Sequence, residues 1–161
     1  MSRITYRVSA LAALATAALA ATAVAAPSVP SGDGTSPITG RKITTAAFKG
    51  KPVVFTVWAS WCPECNNEAP TVAKVSAKHK EVRFVGIDVS DKPSDAKGFY
   101  KKYGWTFASI DDPKRERQFK LGLPGQPSTV FVNAAGKIVG KVIGAASEQQ
   151  FEQGIAAAKK R

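Results

Sequence analysis

Trp58-Ala59-Ser60-Trp61-Cys62-Pro63-Glu64-Cys65 contains the only two cysteines of the 161-residue chain, with two residues between them. The residues before it, Val53-Val54-Phe55-Thr56-Val57, form an apolar run suited to a strand covered on both faces. The residues after it read as a helix from Cys62 to about Lys80. Pro63 takes the first helical position, where its missing N–H costs nothing. A Cys-x-x-Cys pair between strand and helix is a layout for redox chemistry. One sulfur sits at a helix N-terminus, where thiolate is favoured, and the other follows one turn later. So tight a pair closes a loop too small to restrain the unfolded chain much, which points to chemistry more than to stapling. The competing readings are a small structural disulfide or two inert thiols. Zinc is disfavoured, because four ligands are needed and the chain offers two cysteines and one histidine, His79.

Upstream, Arg3 and Arg7 precede an Ala/Leu/Val run, and Ala23-Val24-Ala25 supplies a small-x-small cleavage pattern. Residues 1–25 therefore read as a secretory signal peptide cleaved after Ala25, with an uncleaved N-terminal anchor as the alternative. No cysteine lies near that point to take a lipid. Removing 25 of 161 residues leaves 136, enough for one domain with a core. Export also places the two cysteines where disulfides persist. Residues 26–40, with Pro27, Pro30 and Pro37, read as a flexible linker, and 41–161 as the folded domain.

Net charge is +11, or +9 without Arg3 and Arg7. Basic residues gather at Lys78-His79-Lys80, at Lys114 to Lys120 and at Lys159-Lys160-Arg161. They read as solvated helix faces and ends, with retention on an anionic envelope as the functional alternative. Nucleic acid is not an expected partner, since export and the lack of an aromatic-interleaved basic groove both argue against it. His79, between two lysines, is expected to be solvated.

Along the domain the pattern predicts a short edge strand at Lys42–Thr44, strands at Val53–Ala59 and Val82–Val89, and a helix at Pro93–Tyr103. A short helix is expected near Arg115–Leu121, then a hairpin, Ser128–Asn133 and Lys137–Ile143, turned at Ala134-Ala135-Gly136. Ser147 with Gln150 three residues on is a capping-box pattern that starts a last helix, whose apolar face is Phe151, Ile155 and Ala158. Pro70 should kink the first helix. The fold class is α/β, a mixed central sheet with helices on both faces.

These motifs, in this order, resemble the TlpA/DsbE-like group of secreted thioredoxin-fold thiol–disulfide oxidoreductases. The likeness is carried by Gly50-Lys51-Pro52 before the strand, Trp61-Cys62-Pro63-Glu64-Cys65, Pro70, Gly125-Gln126-Pro127-Ser128-Thr129 and Asn133-Ala134-Ala135-Gly136-Lys137. It implies a thioredoxin fold with an inserted helix between about Val89 and Pro113. It implies Cys62 as nucleophile and Cys65 as resolving cysteine. Pro127 is implied as a cis-proline, with the Gln126 backbone pairing to an extended substrate. Trp61 would shape the substrate surface, while Trp58 belongs to the core. The group's thioredoxin relatives carry a buried acid in the strand before the motif, and Thr56 stands there instead. Glu68, three residues after Cys65, is the candidate proton carrier, against a plain solvated carboxylate. Glu64 should face solvent and oppose thiolate formation somewhat.

The resemblance implies disulfide exchange with exported proteins, no organic cofactor or metal, a monomer, and a membrane redox partner. It leans towards a DsbE-like oxidant of folding proteins. The alternatives are a reductant in cytochrome c maturation and a non-catalytic, chaperone-like binding module.

Overall fold

The computed structural model describes residues 33–160. The expected signal peptide and residues 26–32 of the expected linker lie outside these residues.

Five strands form the central sheet: β3 (Val53–Trp58), β4 (Arg83–Asp88), β5 (Ala108–Asp111), β6 (Ser128–Val132) and β7 (Ile138–Ile143). Their spatial order is β5-β4-β3-β6-β7. β3 runs parallel to β4, and β4 to β5, whereas β6 and β7 are antiparallel to their neighbours. The four helices are α1 (Pro63–Lys78), α2 (Pro93–Tyr103), α3 (Glu116–Lys120) and α4 (Glu148–Ala158). Every residue of β3 is buried, as its unbroken apolar run requires for the central strand of a sheet covered on both sides.

The two faces are covered by different elements. One carries Val54, Trp58, Phe84 and Phe131, and α1, α2 and α4 lie over it. Trp58 packs on Phe99 and Tyr100 of α2 and on Trp105 just beyond it, while Phe131 meets Phe151 of α4. The Trp105 indole N–H reaches back to the Ala69 carbonyl of α1 at 2.9 Å. The inserted helix is thus part of the core. Gly86 is required here: a Cβ would come within 2.6 Å of Ser109 Oγ and 2.7 Å of Trp58 Nε1, two atoms already hydrogen-bonded to each other. The opposite face carries Phe55, which meets Phe48 edge-on. It also carries Val57, Ile87 and Ile110, and α3 closes it, with the Lys141 ammonium bonded to the Leu121 carbonyl.

The capping box at Ser147 and Gln150 is formed in both directions. α2 has the bounds the pattern predicts, and Phe151, Ile155 and Ala158 are buried. Three features differ from expectation. β5 is an edge strand, beside β4, that the pattern misses, because Ala108-Ser109-Ile110-Asp111 has one large apolar side chain and no clear alternation. Part of the expected flexible linker is instead strand: β1 (Gly34–Thr35) pairs with β2 (Lys42–Ile43), and Ser36 between them is buried. Its Oγ accepts the N–H groups of Ile38 and Thr39, so Pro37 sits in a hydrogen-bonded turn. Lastly, His79 is not solvated. Its side chain is 13% exposed, with Nδ1 2.9 Å from Glu81 and Nε2 3.0 Å from Glu152.

Candidate active site

The site lies where β3 runs out into α1. Cys62 is the N-cap of α1, in an extended conformation that turns the chain into the helix, and its Sγ accepts the Cys65 N–H at 3.1 Å. Cys62 and Cys65 are joined as a disulfide, their Cα atoms 5.2 Å apart. Both are nearly covered, at 5% and 2% exposure, so a partner must approach Cys62 through a narrow opening. In the reduced state, the helix N-terminus would favour negative charge on the Cys62 sulfur. Glu64 is exposed, as expected.

The turn is held from α2 and the β4–α2 loop. Asp91 accepts the N–H and hydroxyl of Ser60 at 2.7 and 2.9 Å. Asn66 donates its amide to the carbonyls of Ser60 and Cys62, both at 2.9 Å, and accepts the Tyr103 hydroxyl at 2.8 Å. The inserted helix therefore clamps the backbone on either side of Trp61. Ser60 and Asn66 carry no motif signal, and only the contact across 37 positions reveals the role of Asn66.

β6 lies antiparallel beside β3, with Val57 opposite Ser128, so the residue before β6 comes to the same end of the sheet as the residues after β3. That residue is Pro127, and the Gln126–Pro127 peptide is cis. The Pro127 carbonyl accepts the Gly144 N–H at 3.0 Å, and Ser128 Oγ donates to the Gly125 carbonyl at 2.7 Å. Trp61 is 53% exposed. The structure thus brings Cys62, Cys65, Trp61, Gln126 and Pro127 to one end of the sheet.

Glu68 is buried on α1, one turn past Cys65, and takes the Ala146 N–H at 2.7 Å, pinning the β7–α4 loop to the helix. Burial pushes its pKa from 4.5 up to about 7, against the lowering effect of the Ala146 hydrogen bond. The solvated-carboxylate reading of Glu68 does not hold. Thr56 is buried, and its hydroxyl has no hydrogen-bond partner among the described residues. One strand over and two residues further along the same face, Asp88 is fully buried, with neither carboxyl oxygen hydrogen-bonded among the described residues. Burial, and then the charges of Asp91 and Asp111, push its pKa well above the usual carboxylate range. Sequence reasoning misses Asp88, because an acid at the end of an apolar run reads as a strand terminus. Its signal is the apolar Ile87 and Val89 on either side.

The fold and this site define a thioredoxin-fold protein with a redox-type Cys-x-x-Cys pair facing a cis-proline loop. The chain belongs to the AhpC/TSA family, whose model matches residues 23–141. It is 34% identical over 99 residues to soluble secreted antigen MPT53 of Mycobacterium tuberculosis, a match covering 62% of this chain and 57% of that protein. The chain thus spans little more than half the length of that relative. It is 28% identical over 117 residues to the thiol-disulfide oxidoreductase ResA of Bacillus anthracis, covering 71% and 68%. Among solved structures it is similar to MTB DsbF, with a TM-score of 0.74, 30% identity and coverage of 80% and 96%. It is also similar to a secreted Mycobacterium tuberculosis disulfide oxidoreductase homologous to E. coli DsbE, with a TM-score of 0.72, 31% identity and coverage of 79% and 96%.

Proposed function

We propose that this chain is an extracytoplasmic thiol–disulfide oxidoreductase acting on exported proteins. The observation that carries this reading is the Cys62–Cys65 disulfide at the N-terminus of α1, at the same end of the sheet as the cis Gln126–Pro127 peptide. The secreted relatives support an extracytoplasmic setting. Residues 1–25 are read as a signal peptide, and the catalytic domain starts at about Gly34, where β1 pairs with β2, and not at 41. Among the described residues no helix is long and apolar enough to cross a membrane.

In the oxidising direction, a substrate thiolate attacks Cys62 Sγ, and a substrate–Cys62 disulfide forms as Cys65 leaves as a thiolate. A second substrate thiolate then attacks the substrate sulfur, and Cys62 leaves. The substrate loses two electrons and the protein's pair gains them. The reverse sequence reduces a substrate. The electrons ride on sulfur throughout, so no organic cofactor or metal is needed. Glu68 serves as the proton carrier for Cys65: a carboxyl titrating near neutral pH can take or give a proton as that sulfur changes state. The Gln126 backbone holds the substrate as an added strand, and Trp61 forms one wall of the approach.

The reading leans towards an oxidant of folding proteins, on the likeness to the secreted oxidoreductase homologous to DsbE. Equilibrating residues 26–161 in glutathione buffers gives the potential of the pair. A value near −120 mV makes it a disulfide donor, and one near −270 mV or below makes it a reductant fed by a membrane partner. Failure to form a reversible disulfide would overturn the redox reading and leave a binding module.

A further inference from the structure

Arg115 is one of two non-glycine residues among those described with positive φ, at 58°. A left-handed conformation costs an ordinary side chain about 1–2 kcal/mol and costs glycine nothing. At the start of α3 a glycine would serve the backbone better, because what this position does for the fold is done by main-chain atoms. Its N–H donates to the Asp112 carbonyl, and its carbonyl accepts the Phe119 N–H. The side chain is what the position keeps. It extends to the redox end of the sheet, where Nη1 donates to Gln126 Oε1 at 3.0 Å and the guanidinium carbon lies 6.0 Å from the centre of the Trp61 ring. Trp61 precedes Cys62 and Gln126 precedes the cis-proline. Arg115 therefore touches both walls of the approach to the reactive sulfur.

Its charge is not spent inside the protein. The neighbouring Arg117 sits 3.7 Å from the buried Asp112 carboxylate and donates to the Asp33 carbonyl. Among the described residues Arg115 has no carboxylate within ion-pair distance. A guanidinium has five N–H donors in a planar fork, and Gln126 takes one. The rest form a half-exposed, preoriented fork of the kind that receives a carboxylate in two-point contact.

Resting on the redox reading above, we propose that Arg115 determines substrate specificity: its guanidinium, held between Trp61 and Gln126, receives an Asp or Glu side chain next to the substrate cysteine that joins Cys62. Substrates with acidic residues beside the reacting cysteine are preferred, and those with lysine or arginine there are disfavoured.

Three peptides test this, alike except for Asp, Ala or Lys beside a single cysteine. Their second-order rates of mixed-disulfide formation with the oxidised mature chain are measured at low and high salt. In the wild type the Asp peptide reacts about tenfold faster than the Lys peptide, at the low end of what electrostatic steering gives. At 1 M salt the ratio shrinks. In Arg115→Gln it falls to near one, and Arg115→Lys, which keeps the charge but loses the fork, retains part of it. Circular dichroism checks that each variant is folded. A ratio that persists in Arg115→Gln overturns the proposal. So does an equal loss of rate with all three peptides, since Arg115 would then act on Cys62 and not on the substrate. Absence of exchange with every peptide in the wild type overturns the redox reading itself.

Discussion

The two ends of α1 treat glutamate in opposite ways. Near its start, Glu68 is buried one turn past Cys65, pairs with no cation among the described residues, and has its pKa pushed up to about 7. Past its end, Glu81 lies in the open with His79 and Lys159, and its pKa is pulled down to about 2, the His79 hydrogen bond being the largest cause. Glu152, between Lys78 and His79, is lowered in the same way. Burial decides the first case and pairing the others. An acid that changes protonation near neutral pH can follow a sulfur through its redox cycle. An acid that stays ionised can only tie surfaces together, here α1 to α4 through Lys74–Glu148 and Lys78–Glu152.

The sharpest break in this contrast comes from the sulfurs. Cys62→Ser should abolish disulfide exchange altogether, whereas Cys65→Ser should trap mixed disulfides on Cys62, visible as adducts by mass spectrometry. Retention of exchange by the double serine variant would remove the chemistry from this end of the helix.

Glu68→Gln comes next. The native state holds this proton between pH 4.5 and about 7, where the unfolded chain has released it, so stability falls as pH rises through that window. The full difference is about 3 kcal/mol at one pKa unit per 1.4 kcal/mol. Urea unfolding at pH 5 and pH 8 should show the fall in the wild type and a flatter profile in Glu68→Gln, which can still accept the Ala146 N–H. An unchanged slope would place the proton elsewhere, with Asp88 the next group to test.

A smaller effect, of about 1 kcal/mol, is expected for Tyr103→Phe, which removes one hydrogen bond to Asn66 and so loosens the redox turn from α2. Its readout is the Cys62 thiolate titration, followed at 240 nm, alongside stability. A loss of stability with no movement of that titration would make the Asn66 clamp structural only.

At the far end, burial alone would lower the His79 pKa, but hydrogen bonds and charge from Glu81 and Glu152 outweigh it and raise the value. The stability it adds is present below the ordinary histidine value and is lost as pH rises through the raised one. His79→Gln should remove that small dependence while leaving the Glu68 window in place. Smallest of all, Lys74→Ala should cost less than about 0.5 kcal/mol in chemical denaturation, since the Lys74–Glu148 pair is solvent-exposed. A larger loss would mean that the α1–α4 pairs act as a network.

Local chemistry was legible in the chain because it depends on neighbours in sequence. Two cysteines at a helix start, a proline at the first helical position, a capping box and an unbroken apolar strand need no distant contact to be recognised. The family likeness added Pro127 and Glu68 as site residues. The cis peptide at Pro127 and the burial of Glu68 are visible only in the fold, since a proline in a turn and a glutamate on a helix each have an ordinary alternative. Tertiary structure alone decided the rest. Asp88 becomes an unusual acid because β3 and β5 flank it and Tyr100 of α2 lies close by. His79 is drawn from solvent by two glutamates, one of them from α4. β5 is a strand because β4 offers it an edge. Tyr103 reaches Asn66 across 37 positions, and Arg115 reaches Gln126 across 11. A side chain's charge and hydrogen-bonding capacity are written in its identity, but whether it is buried, paired or aimed at a sulfur depends on which distant segments pack against it.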